Sequence, residues 1–418
     1  MPLLLTHAAQ LLTLAGPNRG RRGAEMSELG LVRDGAVLIE GQRIVAAGPH
    51  DAVARQAKHL REVEEIDCHG KLVAPGLVDS HTHLVFAAPR LEDFERRLRG
   101  ESYAEIAATG GGIAASVQAL CRCDDARLAT AATQHLQAMA RWGVTTAEVK
   151  SGYGLTTRDE CRSLAAARRA GAAAGVATAL TFLGAHAVPP EFADRRAEYV
   201  ALVAGEMMEA ACRLEGVEFA DVYCDRCAFT PAEAEAVLRA AQGRGLKLKV
   251  HAEQLAWTGA TQLAVRLGAV SADHLEHTTP ADHAALGRAE TVATLLPGCA
   301  LFLGTAQAPA RALIAAGACV ALASDFNPGT SPITSLPLVM GLACTQMRMT
   351  PAEVWTAATI NGAAALAHAG ETGSLAPGKR ADAAIFAADD YRAVPYFLGA
   401  NLCETVIAAG RAGKTCKN

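Results

Sequence analysis

Pro75-Gly76-Leu77-Val78-Asp79-Ser80-His81-Thr82-His83 is the stretch on which the reading of this chain turns. An apolar run from Leu72 to Val78, broken at Pro75-Gly76, leads into two histidines one residue apart. Residues two apart on a β-strand point to the same face, so both imidazoles project together. Paired neutral imidazoles suit a borderline cation such as zinc or iron. A bare His-x-His is more often two unrelated surface residues. Here the pair ends a buried-looking strand, and more histidines and an aspartate follow at strand ends downstream.

Outward from this stretch, the middle of the chain alternates apolar strand-like runs with alanine-rich helical ones. Helices are predicted over 126–142 and 157–174, and strands over 143–149, 177–183, 246–250, 291–295 and 320–323. Thr230-Pro231 with Glu233 is a strong helix start, combining an N-cap hydroxyl, proline at the first turn and a carboxylate three residues on. Repeated β-then-α units imply parallel strands joined by helical crossovers. His81 and His83, Lys150, His186, His251, His274 and Asp325 each fall at the C-terminal end of a separate apolar run. In a parallel barrel those ends converge on one mouth, whereas the outer strands of an open sheet could not reach a common point. The expected fold is therefore α/β, a (β/α)8 TIM-like barrel over residues 75–370.

Residues 1–74 read as short strands and turns, with a hairpin formed by Ala36–Ile39 and Ile44–Ala47 around Glu40–Arg43. The end of the chain has the same texture, with turn chemistry over Gly373–Asp382 and short strands at Ala383–Phe386 and Thr405–Ile407. Residues 1–74 and 371–418 are thus expected to build one small composite β-sandwich domain, since neither piece is large enough for its own core.

Composition narrows the class of function. The 418 residues are 51% hydrophobic and 20% charged, with a net charge of −4, which gives no general attraction to nucleic acid or to an anionic membrane. An anionic ligand must then be held by local cations. The start, Met1–Leu14, is apolar but lacks a basic leader and is interrupted by polar residues, so a strand is expected rather than a signal peptide. No run approaches the ~20 apolar residues of a membrane span. Twelve cysteines without a regular framework fit reduced thiols in the cytoplasm. Cys224-Asp-Arg-Cys227 and Cys121-Arg-Cys123 lack partner motifs and are read as inert thiols.

His81, His83, His251 and Asp325 make a set of three imidazoles and a carboxylate. Catalytic metal sites keep a position open for water, whose pKa falls to about 7 there. Asp325 can accept the water's proton as well as touch the ion, and His274 can hydrogen-bond the oxygen under attack. The competing reading of His274 is a satisfied core imidazole beside Asp273, Glu276 and His277. No cysteine sits in a nucleophile motif.

The PGLVDSHTH strand, the single His251, His274 after Ala-Asp, Asp325 after Ala-Ser and the closing GSLAPGKRADAAIF resemble the metal-dependent amidohydrolase superfamily, in its strand order and over nearly the whole chain. Several stretches resemble the imidazolonepropionases in particular: His83–Ala87 followed by Arg90, Tyr103 with Thr109–Ile113, Lys150–Tyr153, Phe182–His186, His251–Gln254 and Ser324–Ser331. The resemblance implies hydrolysis of the cyclic amide C–N bond of 4-imidazolone-5-propanoate to N-formimino-L-glutamate, in histidine degradation. It also implies one Zn²⁺ or Fe³⁺ ion per subunit and a homodimer. Lys150 bridges two metals in one reading, but the single-ion resemblance makes it structural.

For that substrate, Arg90 is expected to grip the propanoate with two parallel hydrogen bonds, while Arg96, Arg97 and Arg99 are expected to be solvated. Tyr153 and Tyr103 offer aromatic faces, His186 donates to the ring, and Asn327, Gly329 and Thr330 present amide, backbone and hydroxyl groups. Gly110–Gly112 reads as a loop over the mouth rather than a phosphate cradle. Many superfamily relatives place a glutamate where this chain has Gln254, which can orient a ring nitrogen but not protonate it. Glu253 beside it, in extended backbone, would share the face of His251. The alternatives are another amidohydrolase, such as a guanine-type deaminase or an aminoacylase-like hydrolase, and a metal-free scaffold. The last expects missing ligands.

Overall fold

A computed structural model describes residues 1–226 and 228–413, without the side chains of Tyr103, Ala104 and Ala107. Eight strands run parallel in one continuous sheet: Leu77–Asp79, Val144–Lys150, Ala177–Ala185, Val217–Cys224, Lys247–Ala252, Ser271–His274, Val292–Leu295 and Val320–Leu322. Each pairs with the next in chain order. The cylinder is closed just beyond the first and last of them. Thr82 pairs with Phe326 in parallel, the Asp325 N–H donates to the His81 carbonyl at 3.0 Å, and the His83 N–H donates to the Phe326 carbonyl at 2.9 Å. The closing seam therefore runs through three of the candidate metal ligands.

Helices pack outside the sheet, and the strands are buried almost throughout; Val144–Lys150 is buried at every position. That is the pattern of parallel strands covered on both sides. The helices Asp125–Ala140, Thr157–Ala174 and Pro231–Gln242 lie where the sequence places them. Thr230 and Glu233 form the expected reciprocal cap.

The fourth strand, Val217–Cys224, is absent from the sequence reading. Glu218 and Asp221 interrupt its apolar pattern, and Asp221 is nonetheless buried inside the barrel, where Lys150 and His251 meet it.

Both chain ends join a second, mixed eight-stranded sheet. Leu3–Leu12 pairs antiparallel with Leu31–Glu40 and parallel with Glu64–Asp67 and Leu72–Pro75; Ala383–Phe386 then pairs with Leu72–Pro75, and Cys403–Ala408 with Ala383–Phe386. The hairpin is present with longer arms, Leu31–Glu40 and Arg43–Pro49. Backbone bonds from Ile44 to Lys379 at 3.0 Å and from Ala381 to Gln42 at 2.8 Å bring opposite parts of this sheet together. One apolar cluster, including Leu5, Leu11, Val37, Ile44, Val73, Ile385 and Ile407, fills the space between them. The result is a TIM-like barrel with an additional small β domain drawn from both ends of the chain.

Candidate metal centre and adjoining cavity

The first strand ends at Asp79, so His81 and His83 project from the turn that closes the barrel. His251 comes from the fifth strand and His274 from the end of the sixth. Asp325, Glu253, His274 and Leu275 are non-glycine residues with left-handed backbone, φ 52°, 53°, 83° and 72°. Such strain is held only where the surroundings over-determine it, and it gathers at functional sites.

His83 Nε2 lies 3.3 Å from His81 Nε2 and 3.1 Å from His251 Nε2. Asp325 Oδ1 is 3.6 Å from both His81 Nε2 and His83 Nε2. His81 donates its Nδ1–H to Asp273 Oδ2 at 2.6 Å, and His251 Nδ1 sits 3.0 Å from Asp221 Oδ2. With its proton directed to Asp273, His81 turns a bare Nε2 lone pair toward His83, and the Asp221 carboxylate beside His251 Nδ1 favours the same tautomer there. Burial, then Lys150 and the neighbouring imidazoles for His81, and His186 and His251 for His83, hold both pKa values well below the ordinary range. His83 has at most one proton to share between two lone pairs. This donor set fits a bound cation. Two groups of potential ligand atoms lie within 4.8 Å of one another, His81 with His83 and Asp325, and His81 with His251 and His274.

Behind the imidazoles is a buried ionic network. Lys150 Nζ donates to Glu148 Oε1 and Asp221 Oδ2, both at 2.7 Å, and Lys249 Nζ lies 3.6 Å from Asp273 Oδ2. Burial opposes the charge on Lys150, but Asp221, Glu148 and Asp273 raise its pKa above the ordinary lysine value. An ammonium so held supports the ligand-orienting carboxylates, in keeping with its structural reading. Carboxylate–histidine pairs of this kind fix the tautomer and aim of metal ligands. Asp273, read as a reason to doubt His274, in fact orients His81. His274 Nδ1 is 3.7 Å from Glu276 Oε1. Against burial, the charges of Glu276, Asp325 and Asp273 raise the pKa of His274, which favours a proton on a ring facing the site.

A cavity of about 300 Å³ adjoins this cluster, lined by His83, Arg90, Tyr153, His186, His251, Gln254, His274, Asp325, Asn327 and Thr330, all expected from sequence. Tyr103 opens the short helix Tyr103–Ala108, and its side chain lies outside the described residues. Arg97 and Tyr223 also line the cavity. Arg97 is not the solvated arginine expected: its guanidinium stacks on Phe302 at 4.8 Å and donates to the Gly329 carbonyl at 2.9 Å. Tyr223 went unseen with its strand. Arg96 does bind an exposed partner, Glu101, and Gly112 is pinned by its N–H to Asp93 Oδ2 at 2.8 Å.

Three expected roles change. His186 Nδ1 is 2.8 Å from the Gly152 carbonyl, which can only accept, so the proton is on Nδ1 and Nε2 is an acceptor. Burial, then His251, lowers its pKa to about 3. His186 Nε2 is therefore an acceptor toward the cavity, not the donor expected. Glu253 does not share the face of His251. Its φ of 53° ends the extended backbone, and its carboxylate accepts from the N–H groups of Gly259, Ala260 and Thr261 at 2.7–2.9 Å. It caps the helix Ala260–Leu267. Asn327 spends its amide inside its own loop, accepting from Gly329 N and Thr330 N at 2.9 and 2.7 Å and donating to the Asp325 carbonyl at 2.7 Å. Gly329 has its N–H engaged by Asn327 and its carbonyl by Arg97.

The sequence model of the Amidohydrolase family matches residues 72–412. The imidazolonepropionases of Geobacillus kaustophilus and Chloroflexus aggregans are each 46% identical to this chain, covering 98% of it and 97% of their own length. That of Rubrobacter xylanophilus is 47% identical over 95% of this chain and 94% of its own. Among solved structures, a zinc-bound adenosine deaminase from Xanthomonas campestris matches with a TM-score of 0.73 at 18% identity, covering 99% of this chain and 93% of that one. Escherichia coli guanine deaminase matches at 0.72 and 16%, with both chains fully covered. Those two establish the barrel and its added domain but no activity. Sequence likeness along nearly the entire chain goes further, and places this protein in the amidohydrolase family, among the imidazolonepropionases.

Proposed function

We propose that this chain hydrolyses the ring amide of 4-imidazolone-5-propanoate to N-formimino-L-glutamate, a step of histidine degradation, using one Zn²⁺ or Fe³⁺ ion held by His81, His83, His251 and Asp325. The observation that carries the reading is the convergence of three imidazole nitrogens and a carboxylate beside a cavity that also holds a buried arginine. When bound, the ion supplies the positive charge that makes water acidic near neutrality.

The residues around it divide the remaining work. Arg90 is buried, and its Nε has no hydrogen-bond partner among the described residues. That leaves a planar donor group ready for the propanoate. Tyr153 packs beside His186, ring centres 5.3 Å apart, and both line the cavity that would take a flat ring. His186 Nε2 accepts the N–H of that ring. Asp325 is placed to take the proton released from water at its carboxylate and to return it to the ring nitrogen as the C–N bond breaks. His274, holding a proton, donates to the carbonyl oxygen as negative charge grows on it.

Gln254 lines the cavity with its amide 3.4 Å from Cys299 Sγ, and Glu253 is committed to a helix end. Neither residue is thus placed to protonate a leaving ammonia from an aminated ring, which favours ring opening over deamination. Product analysis tests this directly: ring opening keeps both ring nitrogens in N-formimino-L-glutamate, whereas release of ammonia would refute it.

The ten cysteines among the described residues are free, which supports a reducing, cytoplasmic setting. No helix among the described residues is long and apolar enough to cross a membrane. We take the assembly to be a homodimer acting on this small molecule, with no nucleic-acid or membrane partner.

A further inference from the structure

We propose that Gly329 is a specificity-determining position, the platform that holds the Arg90 guanidinium in the conformer that receives the acid arm. The inference rests on the reading of Arg90 as the carboxylate holder. Arg90 follows the first barrel strand, and its backbone N–H donates to the Pro328 carbonyl at 3.0 Å. Its guanidinium lies against the Cα of Gly329. A methyl group at that glycine would stand 2.0 Å from Arg90 Cζ and Nη2 and 2.1 Å from Nε. Heavy atoms in contact prefer about 3.5–4.0 Å, so an alanine and the observed arginine conformer exclude one another.

The backbone does not require glycine here, because Gly329 is not among the residues with positive φ. Only the arginine does. The platform itself is tied down by short bonds. Asn327 Oδ1 accepts the Gly329 N–H at 2.9 Å, Asn327 Nδ2 donates to the Asp325 carbonyl at 2.7 Å, and Arg97 donates to the Gly329 carbonyl at 2.9 Å. The residue under the guanidinium is thereby linked, through one side chain, to the residue that supplies the metal carboxylate. Arg90 Nε, buried and without an acceptor among the described residues, points to an acceptor brought by the ligand. A methyl group at 329 meets the far end of a flexible side chain and no backbone atom among its nearest neighbours. The fold can therefore survive while the guanidinium withdraws into the cavity it lines.

The test compares wild type with Gly329→Ala on 4-imidazolone-5-propanoate and on its propanamide analogue, with bound metal measured in each. The acid should show a KM raised about tenfold to a hundredfold, the range for losing a charge-assisted contact, with kcat, bound metal and turnover of the amide nearly unchanged. Adding Gly329→Ala to Arg90→Lys should cost nothing further, because lysine has no planar fork to lie on the platform. A wild-type KM for the acid, an equal loss on acid and amide, or additive penalties in the double variant would overturn the proposal. If Gly329→Ala fails to fold, Arg90→Ala/Gly329→Ala decides: normal folding assigns the clash to the arginine, and continued misfolding refutes it. Should wild type itself treat acid and amide alike, the reading of Arg90 falls first and the platform with it.

Discussion

Asp273, next to His274 in its strand, reaches across the barrel to accept the Nδ1–H of His81 at 2.6 Å, with both side chains fully buried. The bond fixes which nitrogen of His81 faces the metal position. Asp273→Asn keeps the shape but weakens the acceptor and lets the ring choose the other tautomer. Metal affinity should fall about 10–100-fold, the usual cost of losing such a partner. Titration against a competing chelator measures it, and wild-type affinity would show that Asp273 serves the buried lysines alone.

His251→Ala should abolish both bound metal and turnover and leave the fold, since Leu248, Val250 and Ala252 carry the buried packing of that strand. Metal analysis and far-UV circular dichroism on the purified variant read the two effects separately. Full metal occupancy with normal turnover would remove His251 from the ligand set.

The candidate ligands were legible because metal chemistry restricts them to few residue types, and because parallel strands deliver their C-terminal ends to one mouth. The same logic placed Arg90 and Tyr153 on the loops beyond. What stayed hidden is long-range. Nothing local in Val217–Cys224 says that Asp221 will meet Lys150 and His251, so a carboxylate in an apolar run reads as a break in the strand. Glu253 was misplaced for a different reason: the face-sharing rule assumes extended backbone, and a φ of 53° cancels it within two residues of His251. Arg97 is a third case, since its burial depends on Phe302, some two hundred residues away in the chain.

Glu253 should prove structural. Its carboxylate gathers the N–H groups at the start of Ala260–Leu267, and the Thr261 hydroxyl donates to it as well. Glu253→Ala leaves buried donors unmet, at about 1–3 kcal/mol for an unsatisfied group. Chemical denaturation should report that loss, while kcat stays close to wild type. A large fall in kcat with unchanged stability would return Glu253 to the chemistry.

The imidazole of His186 ties stability to pH. Its folded pKa is lowered to about 3 by burial and by His251, whereas an unfolded histidine titrates near its ordinary value of 6.5. Between those two values the unfolded state binds the extra proton, so folding stability rises with pH across this window and is lost as pH falls through it. His186→Asn removes this one contribution. Metal-free wild type should therefore lose more stability than metal-free His186→Asn between pH 6.5 and pH 4, judged by denaturation midpoints. Parallel pH profiles would mean that His186 takes up protons equally in both states.

The reaction should draw its new oxygen from water, with His274 acting on the transition state. The attacked ring carbon becomes the α-carboxylate of the glutamate product, so hydrolysis in ¹⁸O-labelled water should place label in that group and leave the propanoate oxygens unlabelled. His274 is turned into the site by a left-handed backbone, φ 83°, and the charges of Glu276 and Asp325 help it keep a proton. A donor aimed at charge that develops only during the attack lowers the barrier without tightening substrate binding. His274→Ala should then reduce kcat and kcat/KM together, by about a hundredfold or more as for other donors to a developing oxyanion. Its bound metal should stay close to wild type, which separates this role from that of a ligand, although His274 lies within 4.8 Å of His81 and His251 at their coordinating atoms. Loss of metal in His274→Ala would make it a fifth ligand, and an unlabelled α-carboxylate or a trapped covalent acyl-enzyme would rule out direct attack by water.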